Sequence, residues 1–229
     1  MGCCEGSSRV YLKDTFISTS KNDNQFMEAF GHFYVDVIGD ETDRLIEFFR
    51  IKNWGRLYDC SQRQDLIKTE KLELPVSTDF RPRLMGELAL MLLMNQAKKD
   101  PQSIAQVIFK RPALICSNLL KPLEICNQSI FLLLSIIDYG SEDLKEQLVK
   151  NGIFNNLVES IKSDESKVRM ASAELASRIY AENLDRKMDF FDRKGEFALV
   201  QLIKWEEDDD DSLCSIFSAI LELVCVSYK

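Results

Sequence analysis

The stretch Gly195-Glu-Phe-Ala-Leu-Val-Gln-Leu-Ile203, set beside Gly152-Ile-Phe-Asn-Asn-Leu-Val158, decides the fold of this chain. Each stretch opens on a Gly that follows a polar residue, in Lys194-Gly195 and in Asn151-Gly152, and continues with apolar residues at helical spacing. Gly at such a point suits a left-handed helix end, because it has no Cβ to clash. A related turn stands at Arg111-Pro112, where Pro112 suits the first turn of the following helix. Positions 111, 151 and 194 lie 40 and then 43 residues apart. A period in that range is the mark of a stack of helical repeats.

Working outward from these turns, three stretches share one layout. A long apolar helix is followed by a polar turn, a short helix, a tight turn and another apolar helix. The stretches start at Arg83, Gln128 and Val168, and a further long helix is expected from Ser212 to Tyr228. Leu144, Leu148, Ile153, Leu157 and Ile161 fall at spacings of four or five, so each helix can bury one face on its neighbours. Ala171, Ala173 and Ala176 permit the close helix contacts that such a stack needs. The expected fold class is all-α, an α-solenoid of armadillo/HEAT-like repeats with a helical N-terminal cap; the competing architecture is a plain helical bundle.

The resemblance to armadillo repeats is carried by these same residues. Residues 195–203 resemble the second helix of an armadillo repeat, usually Gly-Gly-Ile-Pro-Ala-Leu-Val-x-Leu-Leu. Residues 152–158 are similar with one extra residue, and residues 171–179 resemble the small-residue third helix. The resemblance covers roughly Arg83 to Lys229. It implies a protein-binding surface lined by the third helices. In peptide-binding members, an Asn ladder on those helices holds an extended peptide backbone. At the matching positions this chain has Arg178 and Ile136, so a helix or another folded partner is expected in place of a basic peptide.

Upstream of Arg83 the pattern is helical but irregular, with apolar spacing near 3.6 in residues 43–51 and 57–66. Leu74-Pro75-Val-Ser-Thr-Asp79 reads as a linker in which Asp79 can cap the next helix. Three segments are therefore expected: a tether over 1–24, a helical cap or irregular repeat over 25–74, and armadillo-like repeats over 75–229. A cap is needed because a terminal repeat must cover its exposed apolar end.

The tether begins Met1-Gly2-Cys3-Cys4. Loss of Met1 would expose Gly2 to N-myristoylation, and Cys3 and Cys4 lie beside that chain for palmitoylation. One myristoyl chain binds a bilayer marginally, whereas two anchor it stably. Gly6 stands where the consensus has Ser or Thr, with Ser7 and Ser8 following. Acylated tip and repeat body together resemble, in plan, the armadillo-repeats-only proteins of apicomplexan parasites, which sit on the cytosolic face of an organelle and recruit partners. Vacuolar armadillo proteins of fungi share the plan. This resemblance implies a protein lipid-anchored on the cytosolic face of a membrane, with Gly2, Cys3 and Cys4 as acylation sites.

Composition narrows the function further. The net charge of −8 argues against a nucleic-acid partner and against a polybasic membrane anchor. No run reaches the 18 or more apolar residues of a membrane span, and no secretory signal follows Cys4. Cys60, Cys116, Cys126, Cys214 and Cys225 are expected to be reduced core thiols of a cytosolic protein. Asn127-Gln128-Ser129 is a glycosylation sequon that such a protein would leave unused. A lone His32, the lack of Cys-x-x-Cys and the lack of phosphate loops or nucleophile elbows argue against an enzyme; no cofactor, metal site or small-molecule substrate is expected.

The sharpest charge feature is Glu206-Glu207-Asp208-Asp209-Asp210-Asp211. It fails as a calcium loop, because Leu213 falls at the third ligand position. A solvated, self-repelling loop is expected, with docking to a basic partner segment as the functional alternative. The candidate protein-binding residues are therefore Arg178 and residues 206–211. The expected function is a non-catalytic adaptor or scaffold. The alternative is a structural subunit of a larger, soluble or cytoskeletal assembly, whose repeat body packs against neighbouring proteins.

Overall fold

A computed structural model describes Leu45 and residues 47–64, 84–206 and 210–225. The tether (1–24), the linker and most of the expected cap (25–74) lie outside the described residues, as do Gly2, Cys3, Cys4 and His32. The chain divides into two units, Met1–Ala89 and Leu90–Lys229.

In the first unit a helical turn at 47–50 precedes α1 (Trp54–Cys60). Asn53 caps α1 by accepting a hydrogen bond from the amide of Arg56 at 3.2 Å. Leu45, Phe49, Leu57 and Tyr58 are buried, and the rings of Phe49 and Trp54 meet edge to face at 5.5 Å. The helix expected over 57–66 thus starts earlier and ends by Cys60, where Ser61 and Gln62 turn the chain. The amide of Gly86 bonds the carbonyl of Arg63 at 2.9 Å and ties the start of α2 (Met85–Ala97) to this unit.

The second unit repeats one motif. After α2 come α3 (Pro101–Phe109), α4 (Pro112–Asn118) and α5 (Leu123–Ile136), then α6 (Glu142–Lys150), α7 (Ile153–Ser160) and α8 (Ser166–Tyr180). A last set follows: α9 (Leu184–Asp192), α10 (Gly195–Trp205) and α11 (Asp210–Val224). The expected repeat is there, a short, a middle and a long helix three times over, but α5 starts at Leu123, five residues before the expected Gln128, and α11 spans Asp210–Val224 where Ser212–Tyr228 was expected. The long helices stack, α5 on α8 and α8 on α11.

Local chemistry places the boundaries. Asp100 caps α3 through the amide of Ser103 at 3.1 Å, with Pro101 at the first helical position. Pro112 likewise opens α4, and Asn183 caps α9 through the amide of Arg186 at 2.9 Å. Gly152 holds the left-handed conformation expected of it, at φ 80°. The corresponding turn departs from expectation: Lys194 is the left-handed residue, at φ 61°, and Gly195 is already helical. Gly195 serves packing instead. A Cβ there would lie 2.3 Å from the ring of Phe190, which is fully buried.

Leu144, Leu148, Ile153, Leu157 and Ile161 are all buried, as are Ala171, Ala173 and Ala176. Phe154, Tyr180 and Phe190 form an aromatic core across the last two repeats, with centroids 5.1 to 6.5 Å apart. The Tyr180 hydroxyl donates to the carbonyl of Ala219 at 2.6 Å, and burial raises its pKa above the usual phenol range. Cys116 and Cys126 are core thiols; burial pushes Cys116 up to about 12. Cys214 on α11 and Cys225 just after it, both expected in the core, are exposed instead. Among the described residues no helix is long and apolar enough to cross a membrane.

Candidate protein-binding surface

The long helices α5 and α8 each leave one stripe uncovered. On α5 it carries half-buried Phe131 and Leu134, with exposed Asp138 in the turn that follows; on α8 it carries half-buried Met170, exposed Glu174, and Arg178. The stripes follow from burial of the opposite faces, Ile130, Leu133 and Ile137 on one and Leu175, Ala176 and Ile179 on the other. The surface is mixed, apolar at its centre and ionic toward the helix ends.

Arg178, singled out from sequence, does reach this surface, with its side chain 36% exposed. It bonds Asp138, in the turn after α5, at 2.6 Å and Glu174 of its own helix at 2.5 Å. Asp138 and Glu174 both remain well exposed, so these pairs orient the guanidinium more than they stabilise the fold. The counterpart proposed from sequence, Ile136, is corrected: it is fully buried and lies in the core. The helices α5, α8 and α11 end at 136, 180 and 224. Two residues before those ends stand Leu134, Arg178 and Glu222. The same register links the pair Arg178–Asp138 to the pair Glu222–Glu182, in which the amide of Glu182 donates to Glu222 at 3.2 Å.

One residue at that position was missed. Counted from the end of α2, the place belongs to Asn95, whose Nδ2 is buried and makes no hydrogen bond among the described residues. On α5, Asn127 Oδ1 and Gln128 Oε1 are in the same condition. Buried amide atoms are rarely left unbonded, which sets these three groups apart from the rest of the repeat body. The sequence signal was the spacing from the helix end, which needs the end itself to be known.

The acid run is split by the fold. Glu206 is a correction, since it is not part of a solvated loop. It ends α10 with 7% exposure, accepting from Ser166 Oγ and Arg169 Nε at 2.8 Å each. A further bond comes from Arg169 Nη2. The guanidinium also bonds the carbonyls of Ser163 and Asp164 and lies 5.6 Å from the centre of the Trp205 ring. Glu206 thus pins the end of α10 to the start of α8. Asp210 and Asp211 belong to the first turn of α11, where the helix dipole favours anions. Glu207, Asp208 and Asp209 lie outside the described residues.

Two buried cations fasten the last repeat, one to the repeat before it and one within the repeat itself. Arg186 of α9 reaches back to Glu142 at 2.6 Å, and Lys187 reaches Glu222 at 3.0 Å and the carbonyl of Cys225 at 2.7 Å. Partial burial works against ionisation of Glu142 and Glu222. Their hydrogen bonds and the adjacent cations outweigh it and hold both carboxyls below the ordinary range. Among the described residues no group of three His, Cys, Asp or Glu side chains is placed to hold a metal ion.

No protein-family model matches the chain, and neither does any curated protein sequence. Solved structures do match. An armadillo-repeats-only protein from Plasmodium falciparum superposes with a TM-score of 0.67 at 15% identity, over 82% of this chain and 80% of that one. A designed armadillo repeat protein in complex with the peptide (KR)4 gives 0.59 at 12% identity, over 95% and 82%. An engineered protein gives 0.59 at 16% identity, over 95% and 79%. At these identities the likeness establishes the fold, an armadillo-type α-solenoid, which excludes the plain bundle.

Proposed function

We propose that the chain is a non-catalytic adaptor, holding a protein partner on its third-helix surface and tethered to the cytosolic face of a membrane by acylation of Gly2 and of Cys3 or Cys4. The observation that carries the binding half is the ordered stack α5, α8, α11, whose open stripes present Phe131, Leu134 and Met170 between ionic ends. The designed armadillo protein that carries (KR)4 supports this use of the fold. Leu134, Arg178 and Glu222 at the ladder position argue for a helical or folded partner over a uniformly basic extended peptide.

The tether half rests on Met1-Gly2-Cys3-Cys4 and on its likeness in plan to acylated armadillo proteins. The Plasmodium structure supports it only through the shared fold. The test is the intact mass of the protein from its own cells, together with fractionation of Gly2→Ala. Loss of Met1 with gain of a myristoyl group, and transfer of the variant to the soluble fraction, are expected. A variant that stays on membranes would overturn the acyl tether, and an unmodified chain would leave a soluble assembly subunit as the better reading.

A further inference from the structure

The last repeat is built differently from the one before it, and the difference lies on one face. Glu142 and Glu146 of α6 meet Arg186 of the following repeat, and Asn155 of α7 accepts from Arg193 at 2.6 Å. Val158 of α7 and Ala173 and Tyr180 of α8 are buried, with Tyr180 bonded to α11. The matching helices α9, α10 and α11 carry the same positions one repeat later. The first helices start at 142 and 184, the left-handed turn residues are 152 and 194, and the long helices end at 180 and 224. In that register Glu142, Glu146, Asn155, Val158, Ala173 and Tyr180 become Leu184, Met188, Phe197, Val200, Phe217 and Val224.

Every one of those six is exposed, from 49% for Phe217 to 67% for Phe197. A repeat that closes a solenoid ordinarily turns a polar outer face to water. On the last described repeat the three polar contacts of the internal junction are replaced by Leu, Met and Phe. The face continues the inter-repeat interface and is more apolar than the interface it continues. An exposed apolar patch of this kind marks a docking surface.

Charge identifies the occupant. Residues 142–183 carry eight acidic and six basic side chains, whereas residues 184–225 carry eleven acidic and five basic. Most of the net −8 of the chain therefore belongs to the last repeat. Three of its five cations are already engaged, Arg186 with Glu142, Lys187 with Glu222 and Arg193 with Asp189. A second copy would bring like charge against like charge, which costs affinity and slows encounter.

We propose that this end face docks an amphipathic helix of a partner protein, apolar at i, i+3, i+4 and i+7 and flanked by Lys and Arg. The helix takes the place of a next repeat's packing face, and its positive flanks complement the net negative charge of the last repeat.

The test uses the full chain and two labelled synthetic helical peptides with one shared Leu/Phe seam, flanked by Lys in one and by Glu in the other. Binding is read by fluorescence anisotropy near physiological salt. Two variants keep every charge, Phe217→Ser with Val224→Ser, and Leu184→Ser with Met188→Ser. A third, Arg178→Ala, alters the third-helix surface instead. Thermal melts confirm that each variant folds. The Lys-flanked peptide is expected to bind, to lose about tenfold or more with either end-face pair, and to be unaffected by Arg178→Ala. The Glu-flanked peptide is expected to bind at least about tenfold more weakly. The proposal is overturned if the end-face variants bind like the parent or if both peptides bind equally. It is also overturned if the Lys-flanked peptide does not bind, as when another segment of the chain covers the face. Sedimentation showing self-association that Phe217→Ser with Val224→Ser abolishes would assign the face to a second copy instead.

Discussion

At the scale of single residues, neighbouring positions with similar sequence context do different work. Lys194 holds a left-handed backbone that costs an L-residue roughly 1–2 kcal/mol, while Gly195 is helical and kept small by the ring of Phe190. Lys194→Gly is therefore expected to stabilise the protein by about 0.5 kcal/mol, the relief of strain exceeding the added chain entropy. Gly195→Ala should destabilise it by about 1–3 kcal/mol, as overpacking against a buried ring does. Urea denaturation of both variants checks the pair. Opposite signs are the expected outcome, and stabilisation by Gly195→Ala would show that Phe190 yields. The lesson of Glu206 is similar. Its acidic neighbours suggest a solvated run, yet its carboxylate lies between Ser166 and Arg169.

At the scale of elements, the junctions between helices carry the polar chemistry. Arg169 and Glu206 tie α8 to α10 across 37 residues of sequence, with side chains 12% and 7% exposed. Removing one partner of a buried pair strands the other, so Glu206→Ala is expected to cost about 3 kcal/mol. The double variant Arg169→Met with Glu206→Ala should cost less than the sum of the singles, and a double-mutant cycle by chemical denaturation measures the coupling. Additive costs would mean that the pair contributes nothing beyond the other bonds of Arg169. The same logic places Arg186 and Lys187, adjacent on α9 but paired on opposite sides, as the two fastenings of the last repeat.

At the scale of the whole molecule, a stack of repeats has a stability close to a sum of repeat and interface contributions. The helix α8 is packed between α5 and α11, whereas the outer side of α11 leaves Phe217 and Val224 exposed. Amide hydrogen exchange is therefore expected to show slower exchange in α8 than in α11, and a Lys-flanked helical peptide on the end face should narrow the gap. Equal protection would mean that α11 draws its stability from elsewhere. Much of this architecture could be read from the chain alone. The turns at 111, 151 and 194, the three-helix order and the buried faces are local matters of dihedral preference and apolar period, and the structure bears them out. What the period could not decide was which copies of an equivalent position have a neighbour. Cys214 and Cys225 follow the apolar pattern of core residues, yet they are exposed, and Cys214 stands where the preceding long helix has Met170 on its uncovered stripe. Glu206 follows the pattern of a surface acid, yet it is buried because α8 brings Arg169 and Ser166 to it. Residue type and spacing determined the helices and their order. Only the stacking decided which side chains meet, because burial depends on what the next element of the fold places opposite each face.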